Sequence, residues 1–239
     1  TAEFIEEEGI KNIKIIPVST PGYGGTQFEG YYSALTSIVK DAAHNSTPNN
    51  KVNIVASSLN PGDIRNIKAI LEAFDIDYIL LPDISDTLDS PYNKKFGRIP
   101  EGGTTISDIE KMAGARATIE MGLTVPQSMS PGQYLLDTFK VPLFKCPIPI
   151  GLEGTNHFIK LLSDISGKPV PEKIKRERGR MIDGMIDSHK HNAEGRAVIY
   201  GDPEMVLSVS RLCLENGVKP VLICTGKQSE TLKELLKHE

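Results

Sequence analysis

Residues 19–26 of this chain, STPGYGGT, bring three glycines and several hydroxyl side chains into one short stretch. Gly22, Gly24 and Gly25 permit positive φ and let another group approach the backbone closely, while Thr20, Tyr23 and Thr26 offer hydroxyls. The spacing is not GxGxxG and no P-loop lysine follows, so a phosphate cradle is not specified. A ligand-facing loop and a flexible turn both fit it. Asp83, Asp86 and Asp89 in LPDISDTLDSPY could hold a magnesium ion or a sugar hydroxyl, yet aspartates equally bond their own backbone in turns. EGGTT at 101–105 suits either a helix entry or a ligand contact. His189 and His191 lie two apart, which does not place them on one helix face as an i, i+4 metal pair would be. Cys146, Cys213 and Cys224 are odd in number and far apart, with no CxxC, so neither a disulfide framework nor a self-contained zinc or iron–sulfur site is expected. Cys213 and Cys224 suit buried thiols, and Cys146, between Lys145 and Pro147 after a strand, is the one whose position could be functional. In GDPEMV, Asp202 and Glu204 are negative where a phosphate would lie, and Asp202 reads as an N-cap. The cationic run Lys173, Lys175, Arg176, Arg178 and Arg180 reads as a solvated helix face.

These candidates are strung along an alternation of apolar β-like runs and helical periodicity, the pattern of parallel sheets covered by helices. Strands are expected at 13–18, 52–56, 78–81, 117–121, 143–146, 197–200 and 221–224. Helices are expected at 28–43, 61–74, 106–111, 131–139, 155–165, 171 to about 193, 203–215 and 229–236. The glycine loop then sits at the carboxyl end of the first strand, where open α/β sheets gather ligands. Asn60 is placed to cap a helix opened by Pro61, with Ile64, Ile67, Ile70, Leu71 and Phe74 as its apolar stripe. Pro171 opens a long helix whose apolar face is Ile174, Met181, Ile182, Met185 and Ile186. That helix reads as a connector to a fresh βαβ unit beginning at Gly195.

With 239 residues the chain can hold one large or two medium α/β domains. A formal charge of −4 and a pI near 5.8 give no attraction to nucleic acid or an anionic membrane, so neither partner is expected. No apolar run approaches the roughly 20 residues of a membrane span, and residues 1–9 lack a secretory pattern, so a cytoplasmic location is expected. Residues 1–9 read as the tail of a helix without its preceding strand, and two strands after residue 195 are too few for a doubly wound domain. The chain is therefore expected to be part of a longer protein.

Four segments in order, VSTPGYGGTQFEGYYSAL, LNPGDIRNIKAILEAFDIDYILLPDISDTLDSPY, EGGTTISDIEKM, and GLEGTNHFIKLLSDISGKPVPEKIKRERGRMIDGMIDSHKH running on to RAVIYGDPEMVLSVSRLCLENG, resemble the nitrogenase component 1 family. The likeness spans nearly the whole chain and is to the β-type chains. LNPGDI and LPDISDTLD look more like the β-like subunit of the iron–molybdenum cofactor assembly scaffold than like the catalytic β chain. The resemblance implies Rossmann-like parallel sheets flanked by helices, with residues 1–170 as a middle domain, 171–194 as a long connecting helix and 195–239 as the start of a further α/β domain. It also implies an α-like partner subunit in a heterotetramer and an ATP-dependent iron protein as electron donor. An iron–sulfur cluster is implied for the full complex, its ligands outside this segment, with none expected in the segment itself. Catalytic β chains carry a serine after the Thr-Pro of the glycine loop, close to a cluster, whereas here Thr20 and Pro21 are followed by Gly22. The cofactor cysteine of α-type chains falls near residues 120–125, where IEMGLT has no thiol. Ser19, Thr20, Gly22, Tyr23, Gly24 and Gly25 are expected to line an interface cluster site as its surroundings, and no residue is expected to be catalytic or to ligate metal. The competing readings are a catalytic β chain that reduces dinitrogen and a nucleotide- or sugar-binding α/β module.

Overall fold

The computed structural model describes residues 4, 7–9, 15–21, 23, 25–92, 94, 97, 101–226 and 229–237. Short aliphatic runs become the four strands β1 (Val52–Val55), β2 (Tyr78–Leu81), β3 (Ala117–Met121) and β4 (Leu143–Cys146). All pair in parallel, in the order β2-β1-β3-β4, with Val52 opposite both Tyr78 and Ala117, and Met121 opposite Cys146. Every residue of β1 and β3 is buried, as expected of parallel strands covered on both faces.

The helices of this unit are α1 (Gln27–Ala42), α2 (Pro61–Ala73), α3 (Ile106–Lys111), α4 (Pro131–Phe139) and α5 (Gly151–Ser166). On one face Ile64, Ile67 and Leu71 of α2 and Phe158 and Leu162 of α5 pack on Val52, Ile54, Ile119 and Met121. On the other, Phe28, Leu35 and Val39 of α1, Ile109 of α3 and Leu135 of α4 pack around Val55, Ile79 and Leu81. The result is a three-layer α/β sandwich, the fold class the sequence implies. Helix starts follow local chemistry: Asn60, Thr105 and Ser130 each accept from the backbone amide three residues on, and Pro61 and Pro131 follow their caps.

The helix α6 (Glu172–Asn192) leads to β5 (Arg196–Gly201), α7 (Pro203–Glu215), β6 (Lys219–Thr225) and α8 (Glu230–Leu236). The strands β5 and β6 pair in parallel as a separate two-stranded sheet. A small core of Ile199, Val206, Leu207 and Leu232 joins them, and Leu123 from the loop after β3 packs against it.

The first expected strand differs. Ile13 and Lys14 lie outside the described residues, and residues 15–18 form no strand. They are half-buried or exposed, so their apolar character is not matched by a place in the sheet; an apolar run marks burial, and pairing depends on an available edge.

Candidate functional site

In the order β2-β1-β3-β4 the chain leaves β1 to one side and returns to build on its other side, so the topological switch point lies between the carboxyl ends of β1 and β3. The first turns of α1 lie there. The Tyr31 hydroxyl donates toward the carbonyls of Ala56 (3.0 Å) and Ser57 (3.2 Å) after β1, and the Tyr32 hydroxyl donates to the Met121 carbonyl at the end of β3 (3.0 Å). Burial holds both phenols well above the usual tyrosine range, so they act as neutral donors.

The glycine loop enters α1 through a capping box. Thr26 Oγ1 accepts from the Glu29 amide (3.3 Å) and Glu29 Oε2 accepts from the Thr26 amide (2.9 Å). Gly25 has φ of 87°, a backbone conformation that favours glycine, and a Cβ there would stand 2.8 Å from Glu29 Oε2, crowding the carboxylate that closes the box. Thr20 and Gly25 line an open groove of about 550 Å³ along α1, beside Tyr31. Ser19 is exposed and Tyr23 is 98% exposed; neither lines this groove. Gly22 and Gly24 lie outside the described residues.

A second space, a cleft of about 260 Å³, opens where the two sheets meet. Thr124 follows β3, Asp202 follows β5, Gly226 follows β6, and Thr26 and Glu29 come from the entry to α1. Among the described residues its ionisable lining is Glu29, Asp202 and Glu230. Asp202 stands at the N-cap of α7 as expected, but its side chain makes no cap bond.

Behind this cleft the structure assembles a buried acid network that sequence reasoning misses. Glu204 is 1% exposed, and its Oε1 accepts from the Thr124 hydroxyl (2.6 Å) and from the Thr124 amide, whereas Oε2 has no hydrogen-bond partner among the described residues. Burial raises its pKa, opposed by the donors of Thr124 and Leu123 and by the Lys145 charge. Glu120, fully buried on β3, accepts from Ser130 Oγ (2.8 Å) and the Gly132 amide (2.9 Å), with Lys145 Nζ at 3.4 Å. Lys145 also donates to the Val125 carbonyl (3.1 Å). The segment 122–125 is thus gripped from β4 and from α7. One signal is available in the chain: a glutamate inside the buried run ATIEM is costly unless it is partnered.

The other candidates resolve into structural roles. Asp83 Oδ1 accepts from the amide (3.0 Å) and hydroxyl (2.6 Å) of Ser85, Oδ2 accepts from Lys68 (2.9 Å), and Thr104 Oγ1 donates to the Leu80 carbonyl (2.5 Å). Burial raises the Asp83 carboxyl, but Ser85 and Lys68 more than offset it and hold it below the usual range. Asp86 and Asp89 face Arg65. His189 and His191 fall in the last turn of α6. Among the described residues no group of three or more His, Cys, Asp or Glu side chains converges as a metal site.

A model described as nitrogenase component 1 type oxidoreductase matches residues 1–239. The chain belongs to the nitrogenase component 1 family. It is 35% identical over 221 residues to the nitrogenase vanadium-iron protein beta chain of Trichormus variabilis, covering 92% of this chain and 47% of that one. It is also 35% identical over 244 aligned positions to the nitrogenase molybdenum-iron protein beta chain of Methanothermobacter thermautotrophicus, covering 99% and 52%. The solved structure titled "Nitrogenase Cp1 at pH 6.5" superposes with a TM-score of 0.92 at 32% identity, over 99% of this chain and 52% of that one. This component 1 chain is therefore β-chain-like, and it spans about half the length of the curated relatives it matches. No described helix is long and apolar enough to cross a membrane.

An iron–sulfur centre of the kind the family implies is anchored by thiolates. Cys146 is fully buried and its thiol is pushed up to about 12, first by burial and then by Glu204 and Glu120. Cys213 is half-buried in α7 and Cys224 is exposed on β6, and no cysteine lines the groove or the cleft. The described residues do not fit as cluster ligands; what they offer is hydroxyls, amides and shape.

Proposed function

We propose that the parent protein is a β-type component 1 subunit that serves as a scaffold for assembly of the nitrogenase iron–molybdenum cofactor. In this reading it pairs with an α-like subunit in a heterotetramer and receives electrons from an ATP-dependent iron protein. Residues 1–170 act as the middle Rossmann-like domain, 171–194 as the connecting helix and 195–239 as the start of a further domain. The observation that carries the reading is the glycine loop: Thr20 and Pro21 are followed by Gly22, so the chain has no side-chain oxygen where the catalytic β chains it resembles have serine.

The loop's task is then to surround a cluster whose thiolates come from elsewhere. Ser19, Thr20, Gly22, Tyr23, Gly24 and Gly25 form the wall, and burial and hydrogen bonds from such neighbours tune a cluster as much as its ligands do. The exposure of Ser19 and Tyr23 leaves those side chains available to a partner surface. The second reading, a catalytic β chain, is favoured by its relatives, which are vanadium-iron and molybdenum-iron protein beta chains. Purifying the intact complex without oxygen and measuring acetylene and dinitrogen reduction with its iron protein separates the two. The scaffold predicts cluster-containing protein with negligible turnover, and sustained turnover overturns it in favour of the catalytic chain.

A further inference from the structure

The helix α6 spans 21 residues, and none of them is buried. Ile174 and the preceding Val170 touch the core beneath α2 and α5, but the helix does not close down on it. A cavity of about 580 Å³ remains between α2, α5 and α6, more than twice the volume of the cleft between the sheets. Its apolar lining includes Ile70 of α2, Ile159 of α5, and Ile174 and Met181 of α6. The same lining carries four cations, Lys160, Lys173, Lys175 and Arg178, against two carboxylates, Asp164 and Glu177. This local excess of positive charge contrasts with the chain's overall −4.

The cations differ in how they are engaged. Lys175 stands 3.7 Å from Glu172, Arg178 donates to Asn156 Oδ1 (2.9 Å), and Glu177 is held by Arg180. Lys160 and Lys173 have no ion pair among the described residues. Lysine stems lie readily along apolar walls while the ammonium stays at the mouth. Small-molecule sites have volumes of roughly 300–1,000 Å³, apolar walls and a few polar groups that fix orientation.

We propose that this cavity is a binding site for a small amphipathic anion, an apolar chain or ring system bearing one carboxylate. The apolar body lies against Ile70, Ile159, Ile174 and Met181, and the carboxylate is taken by the unpaired lysines. Three helices wall the space, so a slender ligand enters without displacing α6. This site is separate from the glycine loop and does not depend on the cluster reading.

Titration of the purified full-length complex by calorimetry tests it, with dodecanoate as probe, dodecyltrimethylammonium as the opposite-charge control and phosphatidylglycerol vesicles as the membrane control. Saturable binding of dodecanoate, with neither control binding, is the expected result. The charge-reversed variant K160E/K173E weakens it about tenfold or more, and Ala69→Phe, which adds bulk to the cavity lining from a solvent-exposed position on α2, blocks it while unfolding at the wild-type temperature. Equal uptake of the cationic amphiphile, or dodecanoate binding unchanged in both variants, overturns the proposal. Vesicle binding in place of dodecanoate binding overturns it in favour of a membrane surface. Protection of Lys160 and Lys173 from amine labelling in the ligand-free complex overturns it in favour of a protein segment covering the cavity.

Discussion

Glu204 concentrates the residue-scale physics of this chain. Its carboxylate is withdrawn from water, with the Thr124 hydroxyl and amide donating to Oε1 and no hydrogen-bond partner for Oε2 among the described residues. Because burial raises its pKa above the ordinary 4.5, the folded state holds the proton more tightly than the unfolded chain does. Its contribution to stability is fully present below pH 4.5 and is lost as pH rises through the folded-state value. Asp83 and Asp108 have the opposite sign: both sit below the usual 3.8, so their contribution is present above that value and is lost as pH falls. Thermal unfolding across pH therefore separates them. Glu204→Gln is expected to flatten the decline in melting temperature above pH 4.5 and to leave the acid-side loss unchanged. An unaltered slope above pH 4.5 counts against a buried, ionising Glu204. Glu204→Ala strands the Thr124 donors and is expected to cost about 1–3 kcal/mol in urea unfolding.

Among the elements, α5 and the loop after β2 show how distant groups complete local structure. The N-cap of α5 is Ile150, which offers no side-chain cap, and sequence pattern accordingly places the start of this helix at Thr155. The cap comes instead from the far end of α7, where Glu215 accepts from the amides of Leu152 (2.6 Å) and Glu153 (2.7 Å). A carboxylate there complements the helix dipole as well as its free donors. Glu215→Ala is expected to lower stability by about 1 kcal/mol, measured by chemical denaturation, with the first turn of α5 losing amide protection. After β2, Asp83 ties Lys68 and Ser85 together while Thr104 bonds the Leu80 carbonyl and receives the Asp83 amide. Asp83→Ala removes three hydrogen bonds at once and is expected to cost about 1–3 kcal/mol in the same assay. Unchanged midpoints in either variant would show that water replaces these contacts at no loss.

For the molecule as a whole, α7 joins the two sheets. Glu204 and Glu215 at its ends and Ser208 between them all bond to the first unit, Ser208 to the Ile148 carbonyl at 3.4 Å. Among the described residues the second sheet has two strands, with Tyr200 82% exposed, and α7 attaches it to the first unit. Native-state hydrogen exchange is expected to show lower protection in β5 and β6 than in β1 and β3, and the double variant Glu204→Ala/Glu215→Ala widens that gap. Equal protection in the two sheets would show that the second holds itself.

Most elements were legible from the chain because their causes are local: Asn60 before Pro61, the stripe of Ile64, Ile67 and Leu71, and the aliphatic runs of β1 to β4 act within a few residues. The ordered motifs likewise sufficed for the family. Tertiary structure alone decided that Tyr31 and Tyr32 fill the switch point between β1 and β3, that residues 15–18 stay out of the sheet, and that Thr124 meets a glutamate 80 residues away. Hydrophobic period and capping chemistry fix which segments fold and which face they bury. Strand order and long-range polar contacts depend on how those faces pack together in three dimensions, and neighbouring residues along the chain carry no record of it.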